Sequence, residues 1–164
     1  MTMVRLALYK ARGGLSNAAI RIWTGSEYSH CELVVEGWSY SASVMDKGVR
    51  RKRIGKGDGE ISLAAAKWDL VDLPWVSAEE VLAYFKATDH HRYGWPSLLA
   101  SQLFNRARSY EGLQFCSEWC AAATGLSAPA SYSPGRLASI CGDIELCVAR
   151  YREVRAGSRT SSQY

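Results

Sequence analysis

The chain has no apolar run approaching the roughly 18 residues that a membrane-spanning helix requires. It shows no internal repeat and no linker that would divide it into parts. Its first residues lack the charged, apolar, small order of a signal peptide, because Arg5, Lys10 and Arg12 interrupt the apolar stretch. Synthesis in the cytoplasm is therefore expected, and work outside the cell would need another route of release. Charge of one sign is also scarce. Twenty basic against sixteen acidic residues leave a net charge of +4, too little to argue for nucleic acid alone. There are five cysteines, and an odd number at irregular spacing makes no disulfide framework. Reduced thiols are expected. Cys116 and Cys120 lack a second tight pair, so the zinc signal is weak and no metal or cofactor is expected.

What the chain has is apolar substance. Of its 164 residues, 48% are apolar and 22% charged. That is enough for one domain with a sizeable core. A single domain is expected over 1–155, with a flexible tail over 156–164. Six tryptophans and nine tyrosines are many for this length. Core packing accounts for most such aromatics, although clefts also use them.

Alternating apolar residues predict strands over Met3 to Tyr9, His30 to Val35, Trp38 to Val44, Val49 to Ile54 and Trp68 to Leu73. Ser16 to Trp23 reads as a short helix with Ser16 as its cap. Ser77-Ala78-Glu79-Glu80 is a capping signature that starts a helix running to about Thr88. Further helices are expected over Pro96 to Asn105 and Cys116 to Thr124, the latter closed by Gly125. A helical turn follows at Pro134 to Ile140, then a last strand over Glu145 to Val154. Strands, then helices, then a strand predict an α+β domain, an antiparallel sheet packed against helices.

The candidate chemistry lies in two separated segments, Tyr28-Ser29-His30 and Gln114-Phe115-Cys116-Ser117-Glu118-Trp119-Cys120. A thiol at a helix N-terminus loses its proton more readily, since the helix dipole and free N–H groups favour the thiolate. An imidazole of pKa about 6.5 suits proton transfer at neutral pH, which makes His30 the expected base. Set against this, most free cysteines are small buried hydrophobes. His90 and His91 are rival bases, beside an expected helix end. Glu32 shares the face of His30, but residues two apart on a strand lie about 6 to 7 Å apart, awkward for a hydrogen bond. The adjacent strand, with Ser39, Ser41 and Ser43, is the expected source of an orienting residue. The basic run from Arg50 to Arg53 with Lys56 reads as a solvated segment or an anion binder; no nucleic-acid partner is expected.

Ser29-His30-Cys31-Glu32-Leu33, Lys47-Gly48-Val49, Tyr93-Gly94-Trp95, Phe115-Cys116-Ser117-Glu118 and Ser133-Pro134-Gly135-Arg136-Leu137 occur in an informative order. Together they resemble the circularly permuted NlpC-type papain-like cysteine hydrolases, nearest to the YiiX-like group and more distantly to lecithin:retinol acyltransferase-type enzymes. The resemblance covers roughly residues 4 to 140. It implies a papain-like core and a thiol hydrolase or acyltransferase in which Cys116 is nucleophile and His30 base. The third polar residue of the family falls on the strand after the histidine, where Ser41 is the best match. Relatives often carry glutamate or histidine there, and an aspartate where this chain has Gly94. Tyr28, Tyr93, Trp95 and Gln114 flank the motifs and are the expected substrate-binding residues.

The resemblance implies cleavage of an amide bond in a cell-wall peptide, with lipid acyl chemistry as the other direction of the family. A phage- or prophage-encoded product, carried in a virion or released on lysis, would fit the missing signal peptide. A binding module that keeps the fold without activity is the contrasting reading. The expected partner is a small peptide or lipid-acyl substrate.

Overall fold

The computed structural model describes residues 2–12, 14–93 and 113–160. The helix expected over Pro96 to Asn105, and Trp95 with it, lie outside the described residues. Within them the chain is an α+β fold. Five strands form an antiparallel sheet: β1 (Arg5–Tyr9), β2 (His30–Val35), β3 (Trp38–Ser43), β4 (Gly48–Arg53) and β5 (Trp68–Asp72), in the order β5-β1-β2-β3-β4. Two short strands, β6 (Arg92–Tyr93) and β7 (Leu113–Gln114), extend the sheet beyond β4 and run parallel to each other.

The β2–β3 hairpin follows from its turn. Glu36 and Gly37 both adopt positive φ, 49° and 78°. A two-residue turn matched to the sheet twist requires this. The turn fixes the register, with Leu33 opposite Tyr40 and Val34 opposite Ser39.

The sheet buries both faces unequally. On one, Leu6, Leu8, Leu33, Val35, Tyr40 and Ala42 pack against the helices in a single large cluster. Fully burying each of the leucine and valine chains stabilises by about 2 kcal/mol. The other face carries a small cluster of Ala7, Val34 and Trp68, with Tyr9, Ile54, Ile61 and Leu63 at its margin.

Four α-helices are described: α1 (Leu15–Thr24), α2 (Ala78–Thr88), α3 (Cys116–Ala123) and α4 (Pro134–Thr160). The capping box of α2 forms as its sequence predicts, with Ser77 and Glu80 each satisfying a backbone N–H of the other. Helix α3 packs on β2 and β3 and against α2. Trp119 anchors it, fully buried, with Nε1 donating to Thr88 Oγ1 at 2.9 Å.

Two expectations fail here. Residue Gly14, not Ser16, stands at the N-cap of α1, and no side chain caps that helix. The last strand expected over Glu145 to Val154 does not exist, because α4 runs unbroken from Pro134 to Thr160. The alternation of Ile144, Leu146 and Val148 buries no single face, since Leu146, Tyr151 and Val154 are exposed. Good helix formers such as Glu145, Leu146, Ala149 and Arg150 let the helix continue. Helix therefore also covers the start of the expected tail, as far as Thr160.

The start of α4 explains the Ser-Pro-Gly motif. Ser133 Oγ accepts the N–H of Arg136 at 3.3 Å, and Pro134 occupies the first helical position. Both are favoured at a helix start. A Cβ on Gly135 would lie 2.2 Å from Ser26 Oγ, so only glycine lets α4 approach the loop that leads to Tyr28.

Candidate active site

Helix α3 places Cys116 at its first turn. Phe115 before it is extended, at φ −107° and ψ 167°, and offers no side-chain cap. No side chain at the N-cap therefore takes up a first-turn N–H group of α3. Ser117 Oγ donates to the Tyr132 carbonyl at 2.6 Å and fixes this turn to the loop before α4. Cys116 itself is only 5% exposed.

Strand β2 delivers His30 from its first residue, at the end of the sheet where α3 begins. The His30 and Cys116 side chains are near enough that each shifts the titration of the other. His30 Nε2 donates to Glu32 Oε1 at 2.9 Å, which leaves Nδ1 as the nitrogen for the thiolate. The ring keeps 23% of its surface exposed, whereas Glu32 keeps 1%. Trp68 stands edge-on to the imidazole at 6.3 Å and to Tyr9 at 4.9 Å.

The charges follow from this geometry. The Cys116 thiol is held well below its ordinary value. The largest cause is the hydrogen bond from Cys31, which outweighs burial together with the charge of His30. Burial would push His30 down, but the Cys116 thiolate and then Glu32 raise it to about 10. Burial likewise opposes the charge on Glu32, yet its hydrogen bonds to His30 and Arg50 hold it below the usual carboxylate value. The Cys116 and His30 shifts both run in the direction that favours a thiolate beside an imidazolium. Cys31, buried between Cys116 and Cys120, is pushed up by desolvation and stays a thiol able to donate.

A second layer supports Glu32. Arg50 grips both its oxygens, Nη1 to Oε2 at 3.0 Å and Nη2 to Oε1 at 2.6 Å. Arg50 Nε in turn donates to Asp46 at 3.0 Å, and Lys52 pairs with Asp46 at 2.9 Å. The basic run is thus largely answered within the chain: Arg51 lies 4.9 Å over the Trp38 ring, and Arg53 faces Glu60 at 3.8 Å.

Ser41 is the expected site residue that the geometry moves. Its Oγ donates to the Cys31 carbonyl at 2.7 Å, not to the imidazole, and Glu32 occupies the orienting place instead. Backbone spacing alone disfavours Glu32. Long side chains lean along the strand, however, and the two tips meet although their Cα atoms stand apart. Same-face periodicity was the signal that could have found it. Arg50 offered no such signal, because its inward direction depends on register.

Tyr28 lies beside this end of the sheet, with its hydroxyl donating to Asp69 Oδ2 at 3.0 Å. Tyr93 and Gln114 are register partners across β6 and β7. Trp95 falls outside the described residues. The rival base His90 is exposed and faces Asp89 at 3.7 Å. All five cysteines are unpaired. Among the described residues no group of three or more His, Cys, Asp or Glu side chains is placed to hold a metal ion, and no helix is long and apolar enough to cross a membrane.

Comparison of the chain with protein-family models, with curated proteins and with solved structures finds no match in any of the three.

Proposed function

We propose that the chain is a cysteine-nucleophile hydrolase that cleaves an amide bond in cell-wall peptides, in the manner of the permuted NlpC-type papain-like enzymes its motifs resemble. One observation carries the reading. A buried thiol at an uncapped helix start is paired with an imidazole whose far nitrogen is bonded to a buried carboxylate. A structural cysteine needs none of these partners.

The steps follow from the groups in place. The Cys116 thiolate attacks the amide carbonyl carbon, and the carbonyl electron pair moves onto oxygen. The first-turn N–H groups of α3 stabilise that oxyanion. The His30 imidazolium gives its proton to the leaving nitrogen, the C–N bond breaks, and an acyl-thioester remains on Cys116. His30, now neutral and held by Glu32, takes a proton from water as the water oxygen attacks the thioester. The carboxylic acid leaves, and thiolate and imidazolium are restored.

The direct test is to incubate the protein with peptides released from cell walls and follow new termini by mass spectrometry. Cleavage by the parent and none by Cys116→Ala is expected. No cleavage of any such peptide, by a parent whose thiol is shown to be activated, would overturn the choice of substrate.

A further inference from the structure

A cavity of about 440 Å³ is lined by Lys10, Ala11, Arg12, Arg21, Glu27 and Ala66, residues that follow β1 or lie on α1 and in the loops before β2 and β5. That is large enough for a small ligand. Its place follows from register. Tyr9 is the strand partner of His30, so Lys10 stands one residue beyond the base. Tyr28 lies in the chain between Glu27, which lines the cavity, and His30. Its hydroxyl donates to Asp69 Oδ2 at 3.0 Å, the carboxylate that also pairs with Lys10 of the cavity.

The lining says what the cavity can hold. Large apolar side chains are missing from it, so an acyl chain would meet only Ala11 and Ala66. Three cations face one carboxylate. Lys10 is paired with Asp69 at 2.5 Å, and Arg21 is fixed by Nη1 donating to the Ala11 carbonyl at 2.6 Å. Arg12 is exposed and has no partner among the described residues. With Lys10 answered by Asp69, and Glu27 able to answer one arginine, one guanidinium charge is left unmatched. A guanidinium without a carboxylate partner, next to a second one held rigidly, is suited to a carboxylate ligand.

We propose that this cavity is the subsite for a free carboxylate of the substrate, so that the enzyme takes short peptides bearing a carboxylate near the scissile amide. The proposal rests on the amide-hydrolase reading and narrows it. Arg12 binds the carboxylate, Arg21 forms the fixed wall, and Glu27 accepts hydrogen bonds from nearby peptide nitrogen.

The test is a titration of the isotope-labelled full chain carrying Cys116→Ala, which binds without turnover, followed by amide resonances. The probes are alanyl-alanine and alanyl-alanine amide, which differ only in the carboxylate. Saturable shifts at Lys10, Ala11, Arg12, Arg21 and Glu27 are expected with the acid. Affinity is expected to fall about tenfold or more for the amide, and again for the acid when Arg12→Ala is added, as for loss of a charged hydrogen bond. Equal binding of acid and amide, shifts confined to other residues, or no saturable shift at millimolar peptide would overturn the proposal. Iodoacetamide alkylation of the parent reports separately on Cys116. An ordinary thiol with carboxylate-selective binding sinks the hydrolase reading alone, and an activated thiol without that selectivity sinks the subsite alone.

Discussion

His30 Nε2 and Glu32 Oε1 stand 2.9 Å apart although both belong to one strand. The same carboxylate is held from its other side by Arg50. The imidazole, its carboxylate and the counter-ion of that carboxylate therefore form one line across β2 and β4, and the thiol meets this line only at its His30 end.

Loss of the imidazole should expose how far the thiol depends on it. The rate of Cys116 alkylation by iodoacetamide in the parent should stay high at about pH 6, where an ordinary thiol of pKa about 8.5 is almost fully protonated. In His30→Ala the rate at that pH should fall by about tenfold or more. Superimposable profiles for the two proteins would remove His30 from the site.

Glu32→Gln keeps the shape of the side chain and removes its charge. Arg50, with only 13% of its side chain exposed, then keeps Asp46 but loses its ion pair with Glu32. Breaking a buried pair in this way costs about 3 kcal/mol, to be read from urea unfolding. With less support for the imidazolium, the alkylation profile of Cys116 should also move to higher pH. A stability loss with an unmoved profile would reduce Glu32 to a structural residue.

Ser41→Ala separates the two candidates for the orienting place. The hydroxyl serves the Cys31 carbonyl. The expected cost of its removal is about 1 kcal/mol of stability. The alkylation profile should not move. A profile displaced as far as that of Glu32→Gln would restore Ser41 to the imidazole.

The ion pair also shapes stability against pH. His30 is raised to about 10 in the folded chain. Its contribution is full below the unfolded value of about 6.5 and is lost as pH rises towards the folded one. Cys116 is lowered in the folded chain. Its contribution is full above the unfolded value of about 8.5 and is lost as pH falls towards the folded one. Between about 6.5 and 8.5 the two slopes cancel. The unfolding free energy of the parent, relative to a Cys116→Ala, His30→Ala double variant, should therefore be flat in that window and decline on both sides. A single monotonic slope through it would mean that only one of the two groups carries its shift in the folded chain.

The local parts of the fold were legible because their signals are local. The Glu36-Gly37 turn fixes a hairpin, and Ser77 with Glu80 fixes a helix start. Cys116 was legible as a helix-start residue for the same reason. What sequence reading lost depended on partners far along the chain. Residues 145–154 alternate like a strand, but no sheet edge takes them up, and helix propensity decides. Arg50 looked like part of a solvated run until the β3–β4 register placed it opposite Ser41, in reach of Glu32. Glu32 itself was read from Cα spacing, when the distance between side-chain tips is what a hydrogen bond measures.

The line from His30 through Glu32 to Arg50 lies wholly within two consecutive hairpins, residues 30–53. One uninterrupted stretch of gene thus encodes the imidazole together with its supports, and the thiol alone is supplied from elsewhere. A chain whose ends were joined and reopened in a loop outside residues 30–53 would still carry these three side chains on the same two hairpins, whichever part came to be translated first.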